Sequence, residues 1–99
     1  MILEVAVLNV KTNEKQAFEV AMAKAKDIIA TMPGFYGMEV RRSLDFTNQF
    51  ILLVNWESRA HHTEGFRQSA KYQEWRALLH HFYEPMPKVE YYSAPIISA

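Results

Sequence analysis

The chain contains no cysteine among its 99 residues. It therefore has no disulfide, no thiolate nucleophile and no zinc site built on thiolates. The lack of disulfides is typical of cytoplasmic proteins. Net charge is missing too, because 11 basic residues balance 11 acidic ones when the histidines are neutral. A nucleic acid or an anionic membrane would require a basic surface, so we expect neither as a partner.

Long apolar runs are absent as well. No run approaches the roughly 20 residues that a membrane-spanning helix needs, and the first residues lack the charged segment and cleavage site of a secretory signal. We therefore expect a cytoplasmic protein with a single domain over residues 1–99. A chain this short buries limited surface by itself, which favours an oligomer.

Six segments with strand-like or helix-like hydrophobic patterns follow one another along the chain. The sequence predicts strands at 2–10, 35–44, 49–56 and 88–93, and helices at 14–31 and 58–83, the second one kinked near 65–69. Asn13 is the predicted cap of the first helix, with Gln16 completing a capping box, and Ser58 is the predicted cap of the second. The order predicts a ferredoxin-like β-α-β-β-α-β fold of the α+β class, a four-stranded antiparallel sheet with two helices on one face.

The first and third predicted strands are apolar on both faces. In the first strand one side carries Leu3, Val5 and Val7, and the other side carries Ile2, Ala6, Leu8 and Val10. Two helices cover only one face, and each Leu or Val left in water forgoes roughly 1.5–3 kcal/mol of burial. We therefore expect a homodimer in which two sheets pack face to face.

Two segments carry a family resemblance. Residues 54–75, VNWESRAHHTEGFRQSAKYQEW, place Trp56-Glu57-Ser58 at the end of a strand, an aromatic Phe66 ten residues on, and then Ser69 and Tyr72. With MPGFYGMEV at 32–40, this segment resembles the antibiotic biosynthesis monooxygenase (ABM) family of dimeric α+β barrels. The resemblance implies that fold. It points to three kinds of member: quinone-forming oxygenases that use no cofactor, haem-degrading enzymes, and proteins without an assigned activity.

The haem-degrading branch of that family can be compared position by position. Its strand-one asparagine, helix-two tryptophan and axial histidine correspond to Val5, Phe66 and Arg76, so none of the three is kept. Arginine stays protonated and cannot bind iron. Haem binding through another residue, such as His80, remains a third hypothesis, and we otherwise expect no cofactor and no metal.

The cofactor-free branch implies a hydroxylated aromatic or quinol substrate, which supplies its own electrons to dioxygen. Such an enzyme needs an apolar slot, a base and hydrogen-bond donors for the developing oxyanion. For each predicted substrate-binding residue, ordinary core packing is the favoured alternative. These residues are Phe18, Met22, Phe66, Tyr72 and Phe82.

Three polar residues are the candidate catalytic groups. His62 is the predicted base, because it lies one turn before Phe66 and an imidazole accepts protons near neutral pH; the alternative is a solvated histidine near a helix start. Asn9 is either a ligand-facing amide or a solvated strand end. Arg76 could hold an oxyanion or pair with a surface carboxylate.

His80 and His81 are predicted to be structural, and at most one of His61 and His62 can be the base. His61 points about 100° away from its neighbour on a helix, and His80 and His81 lie at a helix C-terminus, where positive charge is favourable. The first hypothesis is therefore a cofactor-independent monooxygenase. The alternative is a non-catalytic small-ligand-binding or stress-related protein of the same fold.

Overall fold

A computed structural model describes residues 1–99. The strands are β1 Ile2–Asn9, β2 Phe35–Arg42, β3 Gln49–Trp56 and β4 Val89–Tyr92. They form one antiparallel sheet in the order β2-β3-β1-β4. The helices are α1 Lys15–Ile29 and α2 Ala70–Leu79, and both pack on the same face of the sheet. The predicted α+β ferredoxin-like fold is confirmed.

The start of α1 differs from the predicted capping box. Asn13 has a positive φ of 67°, and Glu14 flanks the helix without a side-chain cap. Asparagine tolerates the left-handed conformation, so Asn13 turns the chain between β1 and α1 instead of capping the helix. The predicted Asn13–Gln16 capping box was therefore wrong.

The second helical region is broken where the sequence predicts a kink. A π-helix spans His61–Phe66, and its wide turn is seen in the bond from the Arg67 amide to the His62 carbonyl, 3.0 Å. Ser69 then caps α2 by accepting a hydrogen bond from the Tyr72 amide. A short 3-10 helix, His80–Phe82, ends the region.

The predicted Ser58 cap was also wrong. The Ser58 hydroxyl lies 2.8 Å from Nδ1 of His61 and binds that imidazole instead of a backbone amide. The His61 ring also packs against Gly34, where an added Cβ would stand 2.3 Å from the ring. Gly34 also has a φ of 78°. Glycine suits this position because it tolerates a positive φ and leaves room for the His61 ring. These contacts fix the start of the π-helix beside the loop that enters β2.

The core lies between the helices and one face of the sheet. Even-numbered residues of β1 and β3 point into it, and α1 and α2 close it. Its fully buried members with large side chains are Leu8, Phe18, Ile29, Val54, Trp56, Phe66 and Leu79. Trp56, at the end of β3, has no exposed surface.

The other face of the sheet, which we call the open face, has no helix over it. Its centre is formed by Val5 paired with Leu53, and Val7 paired with Ile51. Val7 remains 42% exposed. The expectation that the first and third strands carry apolar residues on both sides is therefore confirmed, with Glu4 as the charged exception on the covered side of β1.

Candidate functional site

A small cavity lies between the helices and the sheet. Its volume is about 50 Å³, and we call it the helix–sheet cavity. Apolar side chains form most of its wall, while its polar lining residues are Glu4, His62, Arg67, Tyr72, His80 and Tyr83. Such a mixture of apolar surface and a few converging polar groups is typical of a ligand or active site.

Glu4 is a buried acid in the middle of β1. It lies opposite Val54 on β3 and Tyr91 on β4, and only 4% of its surface is exposed. Its Oε1 accepts a hydrogen bond of 2.8 Å from the Trp56 indole. Burial raises the Glu4 pKa to about 7, although the Trp56 hydrogen bond and the Arg67 charge act in the opposite direction. Glu4 therefore changes charge near neutral pH.

His62 faces Glu4 from the π-helix. Its Nε2 lies 3.4 Å from Glu4 Oε1, and both side chains are almost fully buried. Burial and the Arg67 charge lower the His62 pKa to about 4, so the imidazole is neutral at pH 7. Its Nδ1 lies 2.6 Å from the Tyr91 hydroxyl. Both ring nitrogens of His62 are thus engaged by neighbouring side chains.

The rest of the cavity supplies aromatic surface and hydrogen-bond donors. The Phe66 ring stands edge-on to Tyr72, and the Tyr72 hydroxyl lies 3.5 Å from Nε2 of His80. Burial lowers the His80 pKa and, together with Tyr72, raises that of Tyr83. Tyr83 therefore stays a protonated donor at neutral pH.

The structure divides the predicted site residues among different surfaces. Three of them, His62, Phe66 and Tyr72, line the helix–sheet cavity together. Phe18 and Met22 line a separate groove of about 420 Å³ between α1 and β2. Phe82 packs against Phe18 in the core.

Asn9 and Arg76 lie away from the cavity. Asn9 belongs to the open face, where its Oδ1 accepts a hydrogen bond of 3.2 Å from Gln49. Arg76 is on the exposed side of α2. The structure therefore does not bring Asn9 or Arg76 together with His62, and their predicted catalytic roles gain no support from this placement.

Sequence reasoning missed Glu4, Arg67, Tyr91 and the cavity position of His80. The signal for Glu4 was present, because position 4 falls between Ile2 and Ala6 on the face predicted to be apolar. A charged residue there is either buried with partners or a break in the pattern. Tyr91 could not be found, because it lies 29 residues from His62 in the sequence and reaches it only through the pairing of β4 with β1.

The chain is similar to a known protein family and to a protein of Bacillus subtilis. The model of the family "Antibiotic biosynthesis monooxygenase" matches residues 1–78. The protein YczJ of Bacillus subtilis (strain 168), described as uncharacterized, is 45% identical over 92 residues, which are 93% of this chain and 97% of YczJ.

Solved structures give a similar result. A Bordetella bronchiseptica protein whose name assigns it to the antibiotic biosynthesis monooxygenases is 30% identical, with a TM-score of 0.92 over 96% of this chain and 97% of its own. SnoaB, a cofactor-independent oxygenase from Streptomyces nogalater, is 17% identical, with a TM-score of 0.79 over 97% of this chain and 94% of its own. At that identity the likeness to SnoaB concerns the fold.

Proposed function

Because the chain belongs to the antibiotic biosynthesis monooxygenase family, we propose that it oxidises a small hydroxylated aromatic or quinol with dioxygen at the helix–sheet cavity. The observation that supports this most is the buried Glu4–His62 pair in the cavity wall, with Nε2 and Oε1 3.4 Å apart. A similar fold occurs in SnoaB, a cofactor-independent oxygenase. We propose that this chain also works without a cofactor.

The first task of such a protein is to remove a proton from the substrate. His62 is neutral at pH 7 and accepts protons only weakly, because its pKa is lowered to about 4. Glu4, whose pKa is about 7, is the stronger base. Its Oε1 already faces Trp56 and His62, which leaves Oε2 for the substrate hydroxyl. In this proposal Glu4 takes the proton and His62 orients and stabilises its carboxyl group.

The second task is the transfer of electrons to dioxygen. A deprotonated phenol or anthrone reduces dioxygen directly; one oxygen atom joins a ring carbon, giving a quinone, and the other leaves as water. Tyr83 and Arg67 supply donors that hold the negative charge which develops on the substrate oxygen. The protein's own groups therefore need to move only protons.

The helix–sheet cavity is smaller than an aromatic ring requires. A benzene ring occupies an apolar cavity of about 150 Å³, and the helix–sheet cavity measures about 50 Å³. A ring therefore enters only when lining side chains move. Tyr72 and His80 are both half-buried and joined by a long contact of 3.5 Å, so they are the pair with room to open.

Oxygen uptake with a panel of hydroquinones and dihydroxyanthrones tests the activity. Glu4→Gln keeps the acceptor for Trp56 but removes the base, and the rate should fall by about 10²–10⁴-fold. His62→Ala should also lower it. Glu74→Gln is the matched control, since Glu74 is an exposed carboxylate of α2. Equal uptake by wild type and Glu4→Gln would contradict the assignment of the base.

The small cavity also favours a second candidate function, binding of a small ligand without turnover. The predicted aromatic residues Phe18 and Phe66 fill the core with almost no exposed surface. In that case tryptophan fluorescence would report ligand binding in wild type and in Glu4→Gln with the same affinity, and no oxygen would be consumed.

Haem is too large for the helix–sheet cavity. Pockets for larger ligands measure roughly 300–1,000 Å³, whereas the space beside His80 belongs to the cavity of about 50 Å³. The residue at the axial position, Arg76, is exposed and cannot ligate iron. A shift of the hemin Soret band on mixing that is lost in His80→Ala would reverse this conclusion.

We further propose that the working unit is a cytoplasmic homodimer through the open face. Members of this family are commonly dimeric. At the centre of the open face, Val5, Val7 and Leu53 are exposed or half-buried. Charged residues on β2 and β4, such as Glu39 and Glu90, flank them. The structure contains no helix long and apolar enough to cross a membrane.

Light scattering tests the dimer. Leu53→Lys places a charge at the centre of the open face and should yield monomers. Val20→Lys introduces the same charge on α1, where the residue is already 61% exposed, and should leave the mass unchanged. A dimeric Leu53→Lys protein would contradict this interface.

A further inference from the structure

The Glu4 carboxyl group is closed off from water, yet it must exchange protons with solvent if it titrates or acts as a base. Glu4 is 4% exposed, and its Oε1 is surrounded by Trp56 and His62. Trp56 is a donor only and cannot accept a proton at its indole nitrogen. The path therefore has to pass through His62 or through the cavity.

His62 connects Glu4 to the surface through a second contact. Its Nδ1 lies 2.6 Å from the hydroxyl of Tyr91, a half-buried residue at the edge strand β4. Glu4, His62 and Tyr91 thus form one row from the cavity wall to the edge of the sheet. Arg59 lies over the Tyr91 ring, with its guanidinium carbon 4.6 Å from the centroid, and holds the ring in place from outside.

We propose that Tyr91 and His62 form the path by which protons move between solvent and the Glu4 carboxyl group. In one state Glu4 is ionised, His62 carries its proton on Nε2, and the Tyr91 hydroxyl donates to Nδ1. In the other state Glu4 is protonated and donates to Nε2, while Nδ1–H donates to the Tyr91 oxygen.

Conversion between the two states moves one proton in net terms. A solvent proton reaches the Tyr91 oxygen, the Tyr91 proton passes to Nδ1, and the Nε2 proton passes to Glu4, so His62 changes tautomer and stays neutral throughout. The outward direction is the reverse. The Nε2–Oε1 distance of 3.4 Å is about 0.5 Å beyond an ordinary hydrogen bond, so the transfer requires these two groups to approach each other.

The surroundings favour neutral intermediates along this path. Burial opposes charge on His62, and the Arg67 cation opposes it further. The other charged or titratable groups facing the row and its cavity come from the second helical region and the turn after it, namely Arg59, Arg67, Tyr72, His80 and Tyr83. None of these joins Glu4 to the surface through hydrogen bonds, so the tautomer exchange of His62 is the available route.

Tyr91 is a positioning residue in this scheme, because it acts on Glu4 through His62. Its use in turnover depends on the proposed function, but the path itself is a property of the protein without substrate. The two proposals can therefore fail separately: oxygen uptake tests the first, and the tautomer of His62 tests the second.

Nitrogen-15 NMR of the histidine rings measures this tautomer directly. We expect Nδ1–H below the Glu4 pKa of about 7 and Nε2–H above it. Relaxation dispersion near that pH gives the exchange rate between the two forms. Tyr91→Phe removes only the hydroxyl group and should slow the exchange by about tenfold or more.

Two further variants complete the experiment. Tyr92→Phe makes the same change in the next residue, which points to the open face, and should leave the exchange rate as in wild type. Glu4→Gln removes the titrating group, so the His62 tautomer should no longer change with pH. A single His62 tautomer across the titration in wild type, or equal rates in wild type and Tyr91→Phe, would overturn the proposal.

Discussion

Each face of the sheet departs from the usual distribution of polarity at its centre. An antiparallel sheet with one covered face normally places apolar residues inside and polar residues outside. Here the covered face holds the acid Glu4 at the centre of β1, while the open face presents Val5, Val7 and Leu53. The difference separates two roles: the covered face carries the candidate chemistry, and the open face is suited to assembly.

The largest expected difference between the two faces is at two adjacent leucines of β3. Leu52 points into the covered core and is 5% exposed, whereas Leu53 belongs to the open face. Leu52→Ala should lower the free energy of unfolding by about 2–5 kcal/mol at any protein concentration, because it leaves a cavity in a packed core. Urea denaturation measures this loss.

Leu53→Ala is the matched control for that experiment. In dilute solution, where monomers dominate, its cost should be well below that of Leu52→Ala. The cost should grow as protein concentration rises, since a dimer that buries Leu53 stabilises the folded chain by mass action. A Leu53→Ala cost that is independent of concentration would mean that the open face has no partner in solution.

The pH dependence of stability reports the burial of Glu4 and His62 on the covered face. Burial raises the Glu4 pKa from 4.5 to about 7, so its contribution is fully present below pH 4.5 and is lost as pH rises to about 7. His62 acts in the opposite sense: its pKa falls from 6.5 to about 4, so its contribution is present above pH 6.5 and is lost as pH falls to about 4. Each contribution amounts to about 3 kcal/mol.

The two contributions should nearly cancel in wild type between pH 4.5 and 6.5. Glu4→Gln removes the falling one, so the stability of this variant should rise by up to about 3 kcal/mol over that interval. Thermal or urea unfolding at several pH values measures both curves. A parallel course in wild type and Glu4→Gln would show that Glu4 titrates at an ordinary pKa.

The fold could be predicted from the sequence because each element has a local signal. Pro33-Gly34 ends the first helix, the apolar run at 50–54 marks β3, and the nearly continuous apolar run in β1 indicates that both of its faces are apolar. The capping predictions failed at Asn13 and Ser58. Asn13 adopts a left-handed turn conformation instead, and the Ser58 hydroxyl binds His61, whose ring position depends on the neighbouring loop at Gly34.

The candidate site was harder to predict, because its contacts join distant parts of the chain. Helix phase placed His62 on the side of Phe66, and both are buried. Its partners Glu4 and Tyr91 come from the two ends of the chain, and strand pairing alone brings them together. Asn9 illustrates the same limit, since strand register decides that it faces away from His62.

Ser69 provides the smallest of these tests, at the junction that sets the position of His62. Its hydroxyl donates to the Phe66 carbonyl at 2.6 Å and accepts from the Tyr72 amide at 3.1 Å, so it joins the π-helix to α2. Ser69→Ala should lower the unfolding free energy by about 1 kcal/mol. Because the lost bonds hold the π-helix against α2, the His62 ring resonances should broaden as well. Ser93→Ala, at an exposed position after β4, should change neither quantity. If Ser69→Ala weakens the fold but leaves the His62 resonances unchanged, the covered face holds its Glu4–His62 pair without help from this cap.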